Sequence, residues 1–217
     1  FGGDFSRILK IGFPISMGTI SYALVYWGLL YTSISPLGPH VNAALGIGFS
    51  VLEGFTWPCY HGIEMAVASF VGRMLGAGRP EQAWRSIRLT LPLSLGLGFS
   101  ASLAFYFGAS VLTGLFTEDP KVHDAAILYA QILAFSQICV AVDALCEGVL
   151  AGAGDTRTVF WLTTPFTVLR VPLAYWAAIY MGYGAAGVWW VINITSLAKA
   201  TATSLGCLRG KWAQRVI

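Results

Sequence analysis

Six ionisable residues interrupt apolar stretches that have little other charge: Glu53, Glu64, Asp143, Glu147, Arg170 and Lys199. Asp143 and Glu147 stand four residues apart in "AVDALCEGVL", the spacing that puts both carboxylates on one face of a helix. A carboxylate in an apolar interior needs either a base beside it or a proton or cation that comes and goes. The first arrangement is a structural ion pair. The second is the chemistry of ion-coupled transport.

The elements that carry these residues follow from composition. With 56% hydrophobic and 11% charged residues and a mean hydropathy of +0.69, the chain lacks the charge to cover a soluble surface. Its apolar residues fall in six runs, at about 8–33, 42–74, 82–113, 122–151, 158–181 and 186–208. Each is long enough for a helix to cross a hydrocarbon layer of roughly 30 Å. The connectors "SPLGPH", "GAGRPE", "TEDP", "GAGDT" and "GYG" are helix stop and start signals. These observations predict an all-α integral membrane protein, a six-transmembrane-helix bundle forming a single unit over residues 1–217.

Basic residues orient the bundle. If the spans alternate, Arg7, Lys10, Arg73, Arg79, Arg85, Arg88, Arg157, Arg209, Lys211 and Arg215 share one side, and Lys121 alone takes the other. The positive-inside rule makes the first side cytoplasmic, with both termini, and places "TEDPKVHD" outside. The net charge of +3 thus reports topology and implies no nucleic-acid partner.

On this topology Asp143, Arg170 and Lys199 lie roughly 12 to 18 Å from the cytoplasmic face at 1.5 Å per residue, and Glu53 and Glu64 fall at a similar depth. Left facing lipid, these five groups would cost on the order of 15 kcal/mol, so they must face one another or water. Glu147 sits nearer the interface. Helical phase aligns Glu53, Trp57, Tyr60 and Glu64 in one stripe, interrupted by Pro58, which is expected to kink the helix. Ser136, Val140, Asp143 and Glu147 form a second stripe, Thr163, Thr167 and Arg170 a third, and Thr195, Lys199 and Thr203 a fourth. Glu53 or Asp143 is expected to pair with Arg170 or Lys199. Three mid-depth acids then face two bases, which leaves a carboxylate for proton or cation exchange.

Other chemistries are weaker. Cys59, Cys139, Cys146 and Cys207 lie in apolar runs without CxxC spacing and read as reduced packing residues. The histidines at 40, 61 and 123 are scattered, so neither a metal site nor a cofactor is expected. "GAGD" matches the GxGD of intramembrane aspartyl proteases, but Asp155 falls at the interface, about 18 Å along the helix from Asp143. Helix capping by Gly152, Gly154, Asp155 and Thr156 accounts for that segment. The start at Phe1, without an initiator methionine, reads as a fragment.

Several segments, in order, resemble the multidrug and toxic compound extrusion (MATE) family: "LKIGFPIS", "ASFVGRMLGAGRPEQAWRS", "EGVLAGAGDTRT", "LRVPLAY" and "LRGKW". The resemblance implies one six-helix lobe of a two-lobe transporter, by its "RGKWAQR" ending the C-terminal lobe, with an N-terminal lobe of the same protein as partner. It implies export of organic cations, drugs or other amphipathic compounds in exchange for inward protons or sodium, across a prokaryotic inner membrane. It also implies an acid on the first helix, where Tyr22 stands, and one at Val140, about a turn from Asp143 on the same face. The expected coupling set is therefore a local variant: Glu53, Asp143 and Glu147 with Arg170 and Lys199 as counter-charges. Tyr22, Trp57, Tyr60 and Glu64 would line the cavity, and Pro58 would serve as hinge. A flippase for a lipid-linked precursor and a non-transporting scaffold are the alternatives.

Overall fold

The structure, a computed structural model, describes the backbone of residues 2–214 and the side chains of residues 9–214. The side chains of Arg7 and Arg215 lie outside it. Among the described residues the chain is helical, without strands: α1 (Gly2–Leu29), α2 (Pro39–Ile47), α3 (Glu53–Gly76), α4 (Pro80–Gly114), α5 (Pro120–Ala134), α6 (Gln137–Gly152), α7 (Thr156–Tyr175) and α8 (Gly184–Leu208). Starts and stops have local causes. Pro39, Pro80 and Pro120 occupy first-turn positions, where no backbone N–H is needed. Asp119 caps α5 by accepting from the Lys121 N–H at 2.9 Å. After α3 and α6, Gly78 (φ 68°) and Gly154 (φ 72°) take the left-handed conformation that closes a helix end. The Arg79 and Asp155 N–H groups then reach back to the carbonyls of Met74 and Leu150.

Each of the six apolar runs is helical, but two are composite. The second consists of α2 and α3, joined through a π-helical turn at Gly48–Leu52. The fourth consists of α5 and α6, bent by 55°. At that bend the freed carbonyls find side-chain partners. Ser136 Oγ and Gln137 Nε2 donate to the Leu133 carbonyl, and Asn193 Nδ2 donates to that of Ile132. By length and hydropathy alone, Leu9–Leu37 and Pro80–Gly114 qualify as membrane spans, and the bent pair makes a third. The remaining runs, centred on α3, α7 and α8, fall short of that criterion.

The buried apolar residues divide into two clusters. One joins Leu29, Val41, Leu52, Phe105, Tyr129, Leu133, Ala174 and Trp189 at one end of the bundle. The other joins Ile63, Val71, Ala83, Leu145, Val149, Cys207 and Trp212 at the other end. Between them lie buried polar groups on four helices: Ser94 on α4, Gln137 and Asp143 on α6, Thr167 and Arg170 on α7, and Asn193, Thr195, Ser196 and Thr203 on α8. The apolar core is thus interrupted by a polar layer at mid-height.

Glycines set how closely α6 approaches its neighbours. A Cβ on Gly148 would stand 2.5 Å from the Glu64 carbonyl oxygen, and one on Gly152 would overlap that of Ala68, so α6 meets the α3 backbone directly. Gly98 on α4 makes the same kind of contact, with the Ile138 Cα 2.8 Å from where its Cβ would be. Replacing Gly148 with Val is therefore expected to force α3 and α6 apart, at a cost of about 1–3 kcal/mol. Gly46→Ala, with nothing within 4 Å of the new Cβ, should leave stability level or slightly raised. Thermal unfolding of the detergent-solubilised variants checks this, and equal midpoints for Gly148→Val and the parent would refute the close contact.

Candidate functional site

The i, i+4 pairs read from the sequence converge in the polar layer. Lys199 Nζ on α8 lies 2.7 Å from Asp143 Oδ2 and 3.2 Å from Glu147 Oε1 on α6. One turn along α8, the Thr203 hydroxyl donates to Asp143 Oδ1 at 2.6 Å. Both Asp143 oxygens are therefore held, and its side chain is 4% exposed, against 22% for Glu147. Two carboxylates share one ammonium, and with all three ionised the cluster has a surplus negative charge. Among the described residues this is where α6 and α8 are joined by ionic contacts.

Arg170 does not act as counter-charge by direct contact. Its Nε and Nη2 donate to Thr195 Oγ1 and Ser196 Oγ, each at 2.9 Å, and among the described residues no carboxylate lies within salt-bridge distance of it. The cause is helical phase. From α7 its side chain meets α8 about a turn before Lys199, whereas the acids of α6 face Lys199 itself. Of the expected pairings, Asp143 with Lys199 forms, and those of Glu53 or Asp143 with Arg170 do not.

Glu53 takes a different partner again. Its Oε1 accepts from the Tyr129 hydroxyl of α5 at 2.6 Å. Tyr129 can reach it because its ring lies where a Cβ of Gly48 would be, inside the π-helical turn that delivers the chain to Glu53. Its other edge packs on Trp189, with ring centroids 4.8 Å apart. Glu53 thus lies apart from the Lys199 cluster, bonded to a neutral donor.

The α3 stripe divides. Tyr60 turns inward and donates to Gln137 Oε1 at 3.1 Å. Trp57 is 56% exposed and stacks on His61, with centroids 5.0 Å apart and planes 12° from parallel. His61 Nδ1 lies 2.9 Å from Glu64 Oε2. Trp57, His61 and Glu64 therefore form an outward-facing group at the height of the polar layer. On α1, Tyr22 is also partly exposed and packs against Tyr26, which in turn meets Phe49. Helix α3 runs on through Pro58, and its departure from α geometry comes earlier, at Gly48–Leu52.

The sequence reading did not include His61, Tyr129, Thr203 and Gln137 among the site residues. The i, i+3 spacing of His61 to Glu64 and the i, i+4 spacing of Lys199 to Thr203 were available signals. Tyr129 and Gln137 had none, since their roles depend on which helices meet. Asp155 is remote from this cluster. It stands at the N-cap position of α7, where its side chain accepts from Thr158 Oγ1 at 2.6 Å.

A model of the MatE family matches residues 14–176. The chain belongs to the MatE family. Among curated MATE relatives, the probable multidrug resistance protein NorM of Thermotoga maritima is 27% identical over 97% of this chain and 45% of its own length. The multidrug resistance protein MdtK of Edwardsiella ictaluri is 27% identical over 96% of this chain and 46% of its own. Among solved structures, an outward-facing MATE family transporter of the MOP superfamily superposes with TM-score 0.86 at 22% identity, covering 95% of this chain and 46% of that one. A MOP superfamily transporter from Pyrococcus furiosus gives 0.83 at 22%, with 97% and 46% covered. These structures share the fold of this MATE chain, an all-helical membrane protein. The chain spans about half the length of the relatives it matches, and those relatives are named as transporters or resistance proteins rather than enzymes.

Lys199→Met should leave buried Asp143 and half-buried Glu147 without their cation and destabilise the protein by about 3–5 kcal/mol. Adding Asp143→Asn to it should recover a measurable part of that loss. Unfolding midpoints of the single and double variants test the coupling, and additive losses would dissociate Lys199 from Asp143.

Proposed function

We propose that the chain is one lobe, the C-terminal one, of a MATE-type antiporter that exports organic cations, drugs or related amphipathic compounds in exchange for inward protons or sodium. The observation that carries this reading is the sharing of one Lys199 ammonium by Asp143 and Glu147 between α6 and α8. A structural ion pair needs one acid. The second provides a place where a proton or sodium ion neutralises the surplus charge and releases the base from one of its partners.

The two acids take different parts. Asp143 is held at both oxygens and stays with Lys199, whereas Glu147 makes one contact, is the more exposed, and is the one that lets go on taking up the coupling ion. Because α6 also rests on the α3 backbone through Gly148 and Gly152, a change at Glu147 bears on α3 and its outward group. There the stacked Trp57 and His61 offer a flat aromatic face beside the Glu64 carboxylate, suited to a planar organic cation. A second lobe of the same protein would cover that face, since His61 and Glu64 at mid-height are too polar to face lipid. The coupling ion needs no cofactor. This reading sets the lobe in a prokaryotic inner membrane, and the basic ends of the spans support an orientation with both termini cytoplasmic.

The test is efflux of a cationic dye from proteoliposomes containing the full transporter, under an imposed proton or sodium gradient. Gradient-driven efflux is expected for the parent, and a loss of at least tenfold for a folded Glu147→Gln variant. Driven efflux at the parent rate in both Glu147→Gln and Asp143→Asn would remove this cluster from the coupling mechanism.

A further inference from the structure

Two adjoining grooves on the outside of the bundle share Arg85. One, about 490 Å³, runs between α3 and α4 and is walled by Ala66, Val67 and Phe70 on one side and by Gln82, Arg85, Ser86, Leu89 and Thr90 on the other. The second, about 460 Å³, lies on the other side of Arg85, against Glu81, Trp84 and Arg88. The chemistry divides along α4. Gln82, Arg85, Ser86 and Arg88 make the end nearest the connector polar and basic. Ala66, Val67, Phe70 and Leu89 make the deeper wall apolar.

Neither arginine has an ionic partner among the described residues, and Glu81 is the only acid lining either groove. Arg73 and Arg79 lie at the same end of α3 and α4, exposed and equally without ion pairs among the described residues. Trp84 fixes the position of this basic end. It packs at a tilt of 46° against buried Trp212, with centroids 4.9 Å apart, which brings the turn that bears Arg209 and Lys211 alongside. From Arg85 to Leu89 the rise is about 6 Å, the distance from a phosphate to the start of an acyl chain. Beyond Leu89, itself 69% exposed, the outer side of α4 continues apolar through Leu93, Phe99, Leu103 and Phe107, all exposed.

We propose that this paired groove binds an anionic glycerophospholipid, with Arg85 and Arg88 on the phosphate and the acyl chains laid along α4 from Phe70 and Leu89 outward. A free phosphate would leave the apolar wall uncovered. A cationic amphiphile would be repelled by the arginines, which sets this site apart from the outward aromatic group of α3. Membrane-facing basic grooves between helices have the required chemistry, with each arginine near the surface worth about a factor of five in affinity for anionic lipid.

Native mass spectrometry of the protein in neutral detergent, titrated separately with phosphatidylglycerol, phosphatidylcholine and inorganic phosphate, tests the assignment without reference to transport. Retained phosphatidylglycerol adducts are expected for the parent and for Lys121→Gln, whose charge lies at the opposite end of the bundle. About 30-fold weaker retention is expected for Arg85→Gln/Arg88→Gln, with its unfolding midpoint unchanged. Equal retention of phosphatidylcholine, undiminished phosphatidylglycerol binding in the double variant, or displacement of the lipid by millimolar inorganic phosphate would each overturn it.

Discussion

An ammonium ion held at mid-height in an apolar bundle constrains everything around it. Lys199 cannot stand there without carboxylates, and the carboxylates must come from a helix that faces α8 at that height. Helix α6 meets the requirement because Asp143 and Glu147 recur at one helical turn, as do Lys199 and Thr203 opposite them. The separation of the apolar core into two clusters follows. Where α6, α7 and α8 carry charges and hydroxyls, continuous apolar packing is impossible, and the hydrophobic contacts gather above and below the polar layer.

How much of this was legible in the sequence depended on whether a feature was local. Run lengths, connector glycines and prolines, and the i, i+4 spacing of Asp143 and Glu147 are properties of one segment and translate directly into helices, caps and a shared face. The partner of Arg170 is not such a property. It depends on how far α7 is rotated against α8, and a fraction of a turn decides between the Thr195 and Ser196 hydroxyls and a carboxylate. The 55° bend in the fourth run was invisible for another reason, since neither Pro nor Gly stands at Phe135 or Ser136. At the bend Asn193, far along the chain, sets its amide on the buried Ile132 carbonyl.

The π-helical turn at Gly48–Leu52 shows the same dependence on tertiary context. Pro58, which lacks an N–H, lies inside α3 and the helix continues on both sides of it. The widened turn comes at Gly48, where the ring of Tyr129 needs room beside the backbone. An aromatic side chain from α5 thus sets the geometry of a segment of α2 and α3, and with it the placement of Glu53. Glu53 is held by a phenol rather than a base, so its environment is separate from the Lys199 cluster.

The glycine contacts of α6 also give that helix two unlike edges. Gly148 and Gly152 rest on the carbonyls of Glu64 and Ala68, while Asp143 and Glu147 engage Lys199. A helix whose one edge is flush against a neighbour's backbone cannot roll about its own axis, because rolling would drive the adjoining side chains into that backbone. Helices α3 and α6 therefore behave as a single plank. Loosening the carboxylate edge bears on α3 and α6 together rather than on α6 alone.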